Sequence, residues 1–180
     1  ALNVAGSISR NSDKAWALNF IASELAETGQ AQQALQIFNK AVNAAGSISS
    51  NSSKAWALSD IASGLAKAGQ FDDALTVYGS IYDDYYKAEA LSNIASELAK
   101  AGQFDKAFDV ARFIYDNRYK AKALINIASE LTEAGQFNKA VTVAGSISDD
   151  SKKAWALRDI ALELAKAGQF DDALNVAGSI

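Results

Sequence analysis

Residues 54–75 read KAWALSDIASGLAKAGQFDDAL, and this stretch carries the pattern on which the chain is built. Counted back from Gly69, Leu58 stands eleven residues before, Ile61 eight, Ala62 seven and Leu65 four. Steps of three and four put these side chains on one helical stripe, and the alanine within it lets a neighbouring helix approach closely. Gly69 falls where a left-handed residue closes the helix, a conformation glycine adopts without steric cost. Phe71 then opens a second helix. Asp72 and Asp73 suit its positive end, and Ala74 and Val77 carry a buried face that closes on Ile81.

The same register recurs outward in both directions. Its glycines are Gly29, Gly69, Gly102, Gly135 and Gly168, separated by 40, 33, 33 and 33 residues. Leu18, Leu91, Leu124 and Leu157 match Leu58, and Ile21, Ile94, Ile127 and Ile160 match Ile61. A period of this length marks an array of helical hairpins. The predicted fold is all-α, an α-solenoid of antiparallel helix A/helix B hairpins. It is divided into a half repeat over residues 1-9 and repeats over 13-49, 53-82, 86-115, 119-148 and 152-180. The first repeat holds seven extra residues, close to two helical turns, so its helix B is expected to lengthen by about 10 Å through Ala41, Val42, Ala45 and Ile48. That extension is expected to protrude without breaking the stack, either as a partner contact or as neutral drift. The links Asn51-Ser52-Ser53, Asp83-Asp84 and Asp149-Asp150-Ser151 read as helix caps rather than metal ligands.

Composition narrows the function classes. The chain has 180 residues, 49% hydrophobic and 21% charged, with a formal net charge of -4. This acidic balance argues against a phosphate-tracking nucleic-acid binder. There is no Cys, which removes disulfides, thiolate ligands and cysteine nucleophiles, and no His. General-base work would fall to carboxylates or lysines, and these are spread over caps and exposed faces with no convergent pair. Each recurring glycine ends a helix, where a phosphate-binding loop would begin one. The expectation is therefore a chain without enzymatic activity, cofactor or metal. No apolar run is long enough for a membrane span and no charged-then-apolar leader is present at Ala1, so a cytoplasmic protein without membrane partners is expected. Asn51-Ser52-Ser53 matches a glycosylation acceptor, which carries weight only in a secreted chain.

The Leu, Ile-Ala, Leu, Gly and Ala anchors, with an aromatic residue two positions after the glycine, resemble tetratricopeptide (TPR) repeats from Ala15 to Ile180. The period is 33 where that family usually has 34, no proline closes helix B, and alanine stands for the family's common small glycine in helix A. Lys67 to Ala74 is also similar to pentatricopeptide (PPR) repeats, a family that reads single-stranded RNA and is typically basic with a 35-residue period. The tetratricopeptide resemblance implies a right-handed superhelix that binds protein or peptide on a concave helix A face.

Carried onto this sequence, that face is formed by positions thirteen, ten, nine and six before each glycine. The implied groove residues are Trp16, Asn19, Trp56, Ser59, Asp60, Glu89, Ser92, Asn93, Lys122, Asn126, Trp155 and Arg158. The three tryptophans share one slot with Glu89 and Lys122. Two readings stand side by side for that slot: a ladder of aromatic anchors, or rings that complete packing between repeats. The Lys, Arg and Asn set with which the family grips chaperone tails is largely Ser and Asp here, so that ligand is not expected. A second candidate patch is Tyr82, Tyr85, Tyr86, Tyr115, Arg118 and Tyr119, suited to stacking on bases or a peptide, or else filling space beside altered linkers. Lysines fifteen before each glycine (Lys14, Lys54, Lys87, Lys120 and Lys153) are expected to form a ladder of surface ion pairs.

Three function classes follow. The leading one is a protein- or peptide-binding scaffold, the second a structural or self-associating segment, and the third a single-stranded RNA binder. The second is motivated by the octamer Ala-Leu-Asn-Val-Ala-Gly-Ser-Ile, which occurs both at Ala1 to Ile8 and at Ala173 to Ile180. It suggests a piece of a longer array or a unit that stacks through uncapped ends.

Overall fold

The computed structural model describes residues 8–180, and every regular element among them is a helix. In chain order these are α1 (Asn11–Glu27), α2 (Ala31–Gly46), α3 (Asn51–Lys67), α4 (Phe71–Gly79), α5 (Asp84–Lys100), α6 (Phe104–Arg112), α7 (Asn117–Glu133), α8 (Phe137–Gly145), α9 (Asp150–Lys166) and α10 (Phe170–Gly178). Odd-numbered helices are the helix A of each repeat, each 17 residues long. The half repeat expected over 1-9 falls, apart from Ile8 and Ser9, outside the described residues.

Each A-to-B turn is closed in the same way. Gly29, Gly69, Gly102, Gly135 and Gly168 have φ between +70° and +79°. At Gly69 the glycine amide donates to Ala66 O at 2.9 Å and the Gln70 amide to Leu65 O at 2.9 Å. This pair of reversed bonds satisfies carbonyls that the helix end would otherwise leave open. The glutamine carbonyl then accepts the first amide bond of helix B, Ala74 to Gln70 at 2.9 Å, so one three-residue turn ends one helix and starts the next.

The links between repeats cap the following helix A. Asp83 Oδ1 accepts from the amides of Tyr85 and Tyr86, Asp149 Oδ1 from Lys152, and Ser50 Oγ from Ser53. Asp116 accepts from the Arg118 and Tyr119 amides and from the Arg118 guanidinium. The Arg118 hydrogen bond is the main cause that holds the Asp116 carboxyl below its ordinary value. The two amide bonds add to it and desolvation opposes it.

The chain forms two compact units divided inside α5, between Ile94 and Ala95. In the first, α3 packs on both α1 and α2; in the second, α9 packs on both α7 and α8. A helix A laid across the hairpin before it buries the recurring anchors. Ile61, Leu65 and Ile81 in one unit, and Ile127, Leu131 and Ile147 in the other, are at most 2% exposed. Burying each such side chain is worth about 1.5–3 kcal/mol.

The first hairpin departs from expectation. Helix α2 has 16 residues where the other B helices have 9, so the extra turns lengthen it as predicted. They do not protrude. Asn11 at the start of α1 donates from Nδ2 to the Ser47 carbonyl at 3.0 Å, so α2 runs back along the whole of α1, with Ala41, Ala45 and Ile48 buried. The short B helices cover about half of their helix A; the added turns find apolar surface on the remainder.

The lengthened hairpin also explains an irregularity in α3. Five residues before the glycine the other repeats carry Glu24, Glu97, Glu130 and Glu163, but α3 carries Gly64. A Cβ there would stand 2.6 Å from Asn19 Oδ1 and 3.0 Å from Phe38 Cε1. Phe38 is fully buried, and at this one contact the glycine on α3 makes room for it; the equivalent position holds Tyr78, Ala111 and Ala144 in the next repeats.

Candidate functional site

The A helices place their non-packing positions in two groups, one buried and one exposed. Trp16, Trp56 and Trp155 are 55%, 42% and 60% exposed. Each ring is thus partly covered and partly open to water. Trp16 stacks on Phe20, its neighbour one turn along α1, with ring centroids 6.1 Å apart and planes 22° from parallel. Lys122 and Arg158 are also exposed, while Asp60, Glu89, Asn93 and Asn126 are half-buried.

Three of the implied groove residues lie elsewhere. Asn19, Ser59 and Ser92 are 7%, 2% and 0% exposed, so their side chains sit beneath the surface. The physical reason is that position ten before the glycine turns toward the neighbouring A helix in these three repeats, whereas in the later two it holds the half-buried Ile125 and the exposed Arg158. Asn19 Nδ2 there donates to Asp60 Oδ2 at 2.7 Å.

A polar register runs beside this contact. Asn93 Nδ2 on α5 donates to Ser63 Oγ on α3 at 2.9 Å, and in the second unit Asn126 Nδ2 on α7 donates to Ser96 Oγ on α5 at 2.8 Å. Each pair joins position nine of one repeat to position six of the repeat before it. These bonds orient one helix A on another. They also engage Asn93 and Asn126, two residues implied for the groove.

The first unit brings two of the exposed aromatics together with a half-buried third. A cleft of about 760 Å³ is lined by Trp16 and Ala17 of α1, Trp56 of α3 and Tyr86 of α5, with Arg10, Asp13, Ser52 and Ser53 on its walls. Arg10 and Asp13 pair with each other at 2.7 Å, so this charged wall is internally neutralised. The sequence groups Tyr86 with a separate patch, yet it stands three residues before Glu89 of the tryptophan slot, on the same helical face. That spacing was the available signal. In the second unit a smaller hollow of about 310 Å³ lies among Ile125, Ser129 and Thr132 of α7 and Asp159 and Leu162 of α9. Arg158 bonds Asp159 beside it at 2.7 Å.

The tyrosine-rich links do not fill space at their tips. Tyr82 and Tyr115, at equivalent positions, are 93% and 95% exposed. Tyr85 meets Tyr86 edge to face at 5.2 Å, and Tyr119 is half-buried beside the Asp116–Arg118 pair.

The lysine column is not an ion-pair ladder. Among the described residues none of the five lies within ion-pair distance of a carboxylate. Lys120 Nζ donates instead to the Arg112 carbonyl at the end of α6, at 3.3 Å, and Lys87 Nζ stands 5.7 Å from the centre of the Tyr78 ring. A cation near the negative end of the preceding helix B is favoured by that helix's dipole. No group of three or more carboxylates converges among the described residues, and no helix there is long and apolar enough to cross a membrane.

Comparison with known proteins agrees with this geometry. Residues 59–83, which run from helix A into the following link, match the PPR repeat family model. Crystal structures of nearly identical TPR-like repeats from Podosopora anserina, of a protein described as a kinesin light chain, superpose with a TM-score of 0.53 at 14% identity. The two forms span 94% and 96% of this chain, and 93% and 94% of their own. The chain has a TPR/PPR-like helical repeat fold. This likeness concerns the fold alone. Ton1535 from Thermococcus onnurineus NA1 is 21% identical over 99% of this chain and 78% of its own, with a TM-score of 0.46. No curated protein sequence matches the chain.

Proposed function

We propose that this TPR/PPR-like protein is a non-catalytic scaffold that binds an extended protein segment or peptide on its helix A surface. The observation that carries the reading is the cleft in which the exposed Trp16 and Trp56 and the half-buried Tyr86 stand around one opening. Large aromatic side chains in contact with water are a cost unless something covers them. Tryptophan and tyrosine also anchor interfaces with little loss of side-chain entropy. The cleft volume is within the range of about 300–1,000 Å³ seen for binding pockets.

Charge favours a protein ligand over a nucleic acid, because the chain is net negative and the one basic side chain on the cleft, Arg10, is paired with Asp13. The PPR match over residues 59–83 supports RNA as the second reading. Panning a random dodecamer peptide library on the folded protein, followed by fluorescence titration of the enriched peptides, separates the two. Affinity is expected to fall about tenfold or more, the weight of an aromatic hot spot, in Trp16→Ala and Trp56→Ala. Peptides that bind both variants as tightly as the parent would remove the cleft from the account. Tight binding of a single-stranded RNA oligonucleotide at low salt, with no peptide enriched, would transfer the site to the second reading.

A further inference from the structure

Two of the aromatic residues on the cleft are followed, one helical turn on, by a carboxylate. Asp60 stands four residues after Trp56 on α3, and Glu89 three after Tyr86 on α5, spacings that set each pair on one helical face. Both carboxylates are half-buried, and among the described residues neither lies within ion-pair distance of a lysine or arginine. The lysines of these helices lie elsewhere. Lys87 Nζ stands over the Tyr78 ring, and Lys54 lines a different hollow with Leu58 and Asp83.

The second unit shows what such a carboxylate takes. Residues 155–159 read WALRD and match WALSD at 56–60 in all but the fourth residue. There Asp159 Oδ1 accepts from Arg158 Nε at 2.9 Å and from Arg158 Nη2 at 2.7 Å, so the carboxylate one turn after Trp155 already holds a guanidinium. In α3 the fourth residue is Ser59, which is 2% exposed and brings no cation. Asp60 Oδ2 accepts from the Asn19 amide, a neutral donor that leaves the charge in place.

We propose that the cleft takes the arginine side chains of an extended basic peptide, each guanidinium lying against Trp56 or Tyr86 and bonding the carboxylate one turn on, Asp60 or Glu89. The inference rests on the peptide-binding reading and names the chemistry of its ligand. An aromatic face attracts a cation, arginine more often than lysine, and a carboxylate adds charge-assisted hydrogen bonds. Helices α3 and α5 are neighbours, joined by the bond from Asn93 to Ser63. Packed helices lie about 8–10 Å apart. A polyproline II chain spans that distance in three residues at about 3.1 Å each, with both side chains on one side. Arginines three residues apart therefore meet the two seats together.

The probes are two fluorescein-labelled octapeptides of alanine, glycine and serine, one with arginine at its third and sixth residues and one with glutamine at both. Each is titrated into the full chain and read by anisotropy. The arginine peptide is expected to bind about tenfold or more tightly than the glutamine peptide, and more weakly as salt rises. Glu89→Gln and Asp60→Asn, checked for folding by circular dichroism, are each expected to weaken the arginine peptide about threefold or more and to leave the glutamine peptide unchanged. Equal binding of the two peptides overturns the inference, as does undiminished affinity for the arginine peptide in both variants. Peptides selected from the dodecamer library that lose affinity in Trp56→Ala yet carry no arginine remove this ligand and leave peptide binding standing. Failure of every peptide to bind, selected or synthetic, removes both.

Discussion

Gly64 shows how one residue reports its surroundings. Replacing a mid-helix glycine by alanine on an open face stabilises by about 0.5–1 kcal/mol. Here the new methyl meets Asn19 Oδ1 and Phe38, both buried. Gly64→Ala is therefore expected to destabilise the protein, by about 1–3 kcal/mol, as read by urea denaturation; a rise in the midpoint would show that Asn19 and Phe38 yield. Gly135, at φ +70°, fails for a different reason: its surroundings are open, and strain alone penalises a side chain. Gly135→Ala is expected to cost about 1–2 kcal/mol. Asp116 adds a pH dependence. Its carboxyl is held below its ordinary value, chiefly by Arg118, so the cap stabilises the fold fully above the ordinary carboxylate range. That contribution is lost as pH falls through the lowered value. Hydrogen exchange at the Arg118 and Tyr119 amides is expected to become less protected over that acid range in the parent, and to be independent of pH there, after correction for intrinsic rates, in Asp116→Asn.

At the scale of elements, helices and their turns were legible because leucine, isoleucine, alanine and glycine recur at helical spacing and their burial follows from that spacing alone. Three features were not. The lysine column recurs as faithfully as the leucines, but its partners are a carbonyl and a ring face, which leave no matching charged column in the sequence. Asn19, Ser59 and Ser92 vary among repeats like ligand contacts do, yet small polar side chains also vary freely where two helices touch. The extra turns of α2 keep the apolar phase whether they protrude or pack, and only the reach of α1 decides. Packing also ranks the helices. Of the α10 residues Ala173 alone is buried, with Phe170 and Leu174 65% and 71% exposed, whereas α3 is buried along most of one side. Native-state hydrogen exchange is expected to show α10 amides opening first and α3 and α7 last; uniform protection would contradict this ranking.

For the whole molecule, the repeated phrase separates into positions that stack and positions that face water, and the proposed function rests on the second set. Sequence places the three tryptophans in one slot, shared with Glu89 and Lys122, without deciding between contact in a groove and packing between repeats. Their exposure, and the convergence of Trp16, Trp56 and Tyr86 on one cleft, came from the packing of α1, α3 and α5. Fluorine NMR of protein labelled with 5-fluorotryptophan tests this most directly, since each of the 3 tryptophans gives its own signal. All three lines are expected to shift between water and deuterium oxide, and the Trp16 and Trp56 lines to move when a library-selected peptide is added. Lines without a solvent shift, or a bound peptide that moves neither Trp16 nor Trp56, would contradict the account.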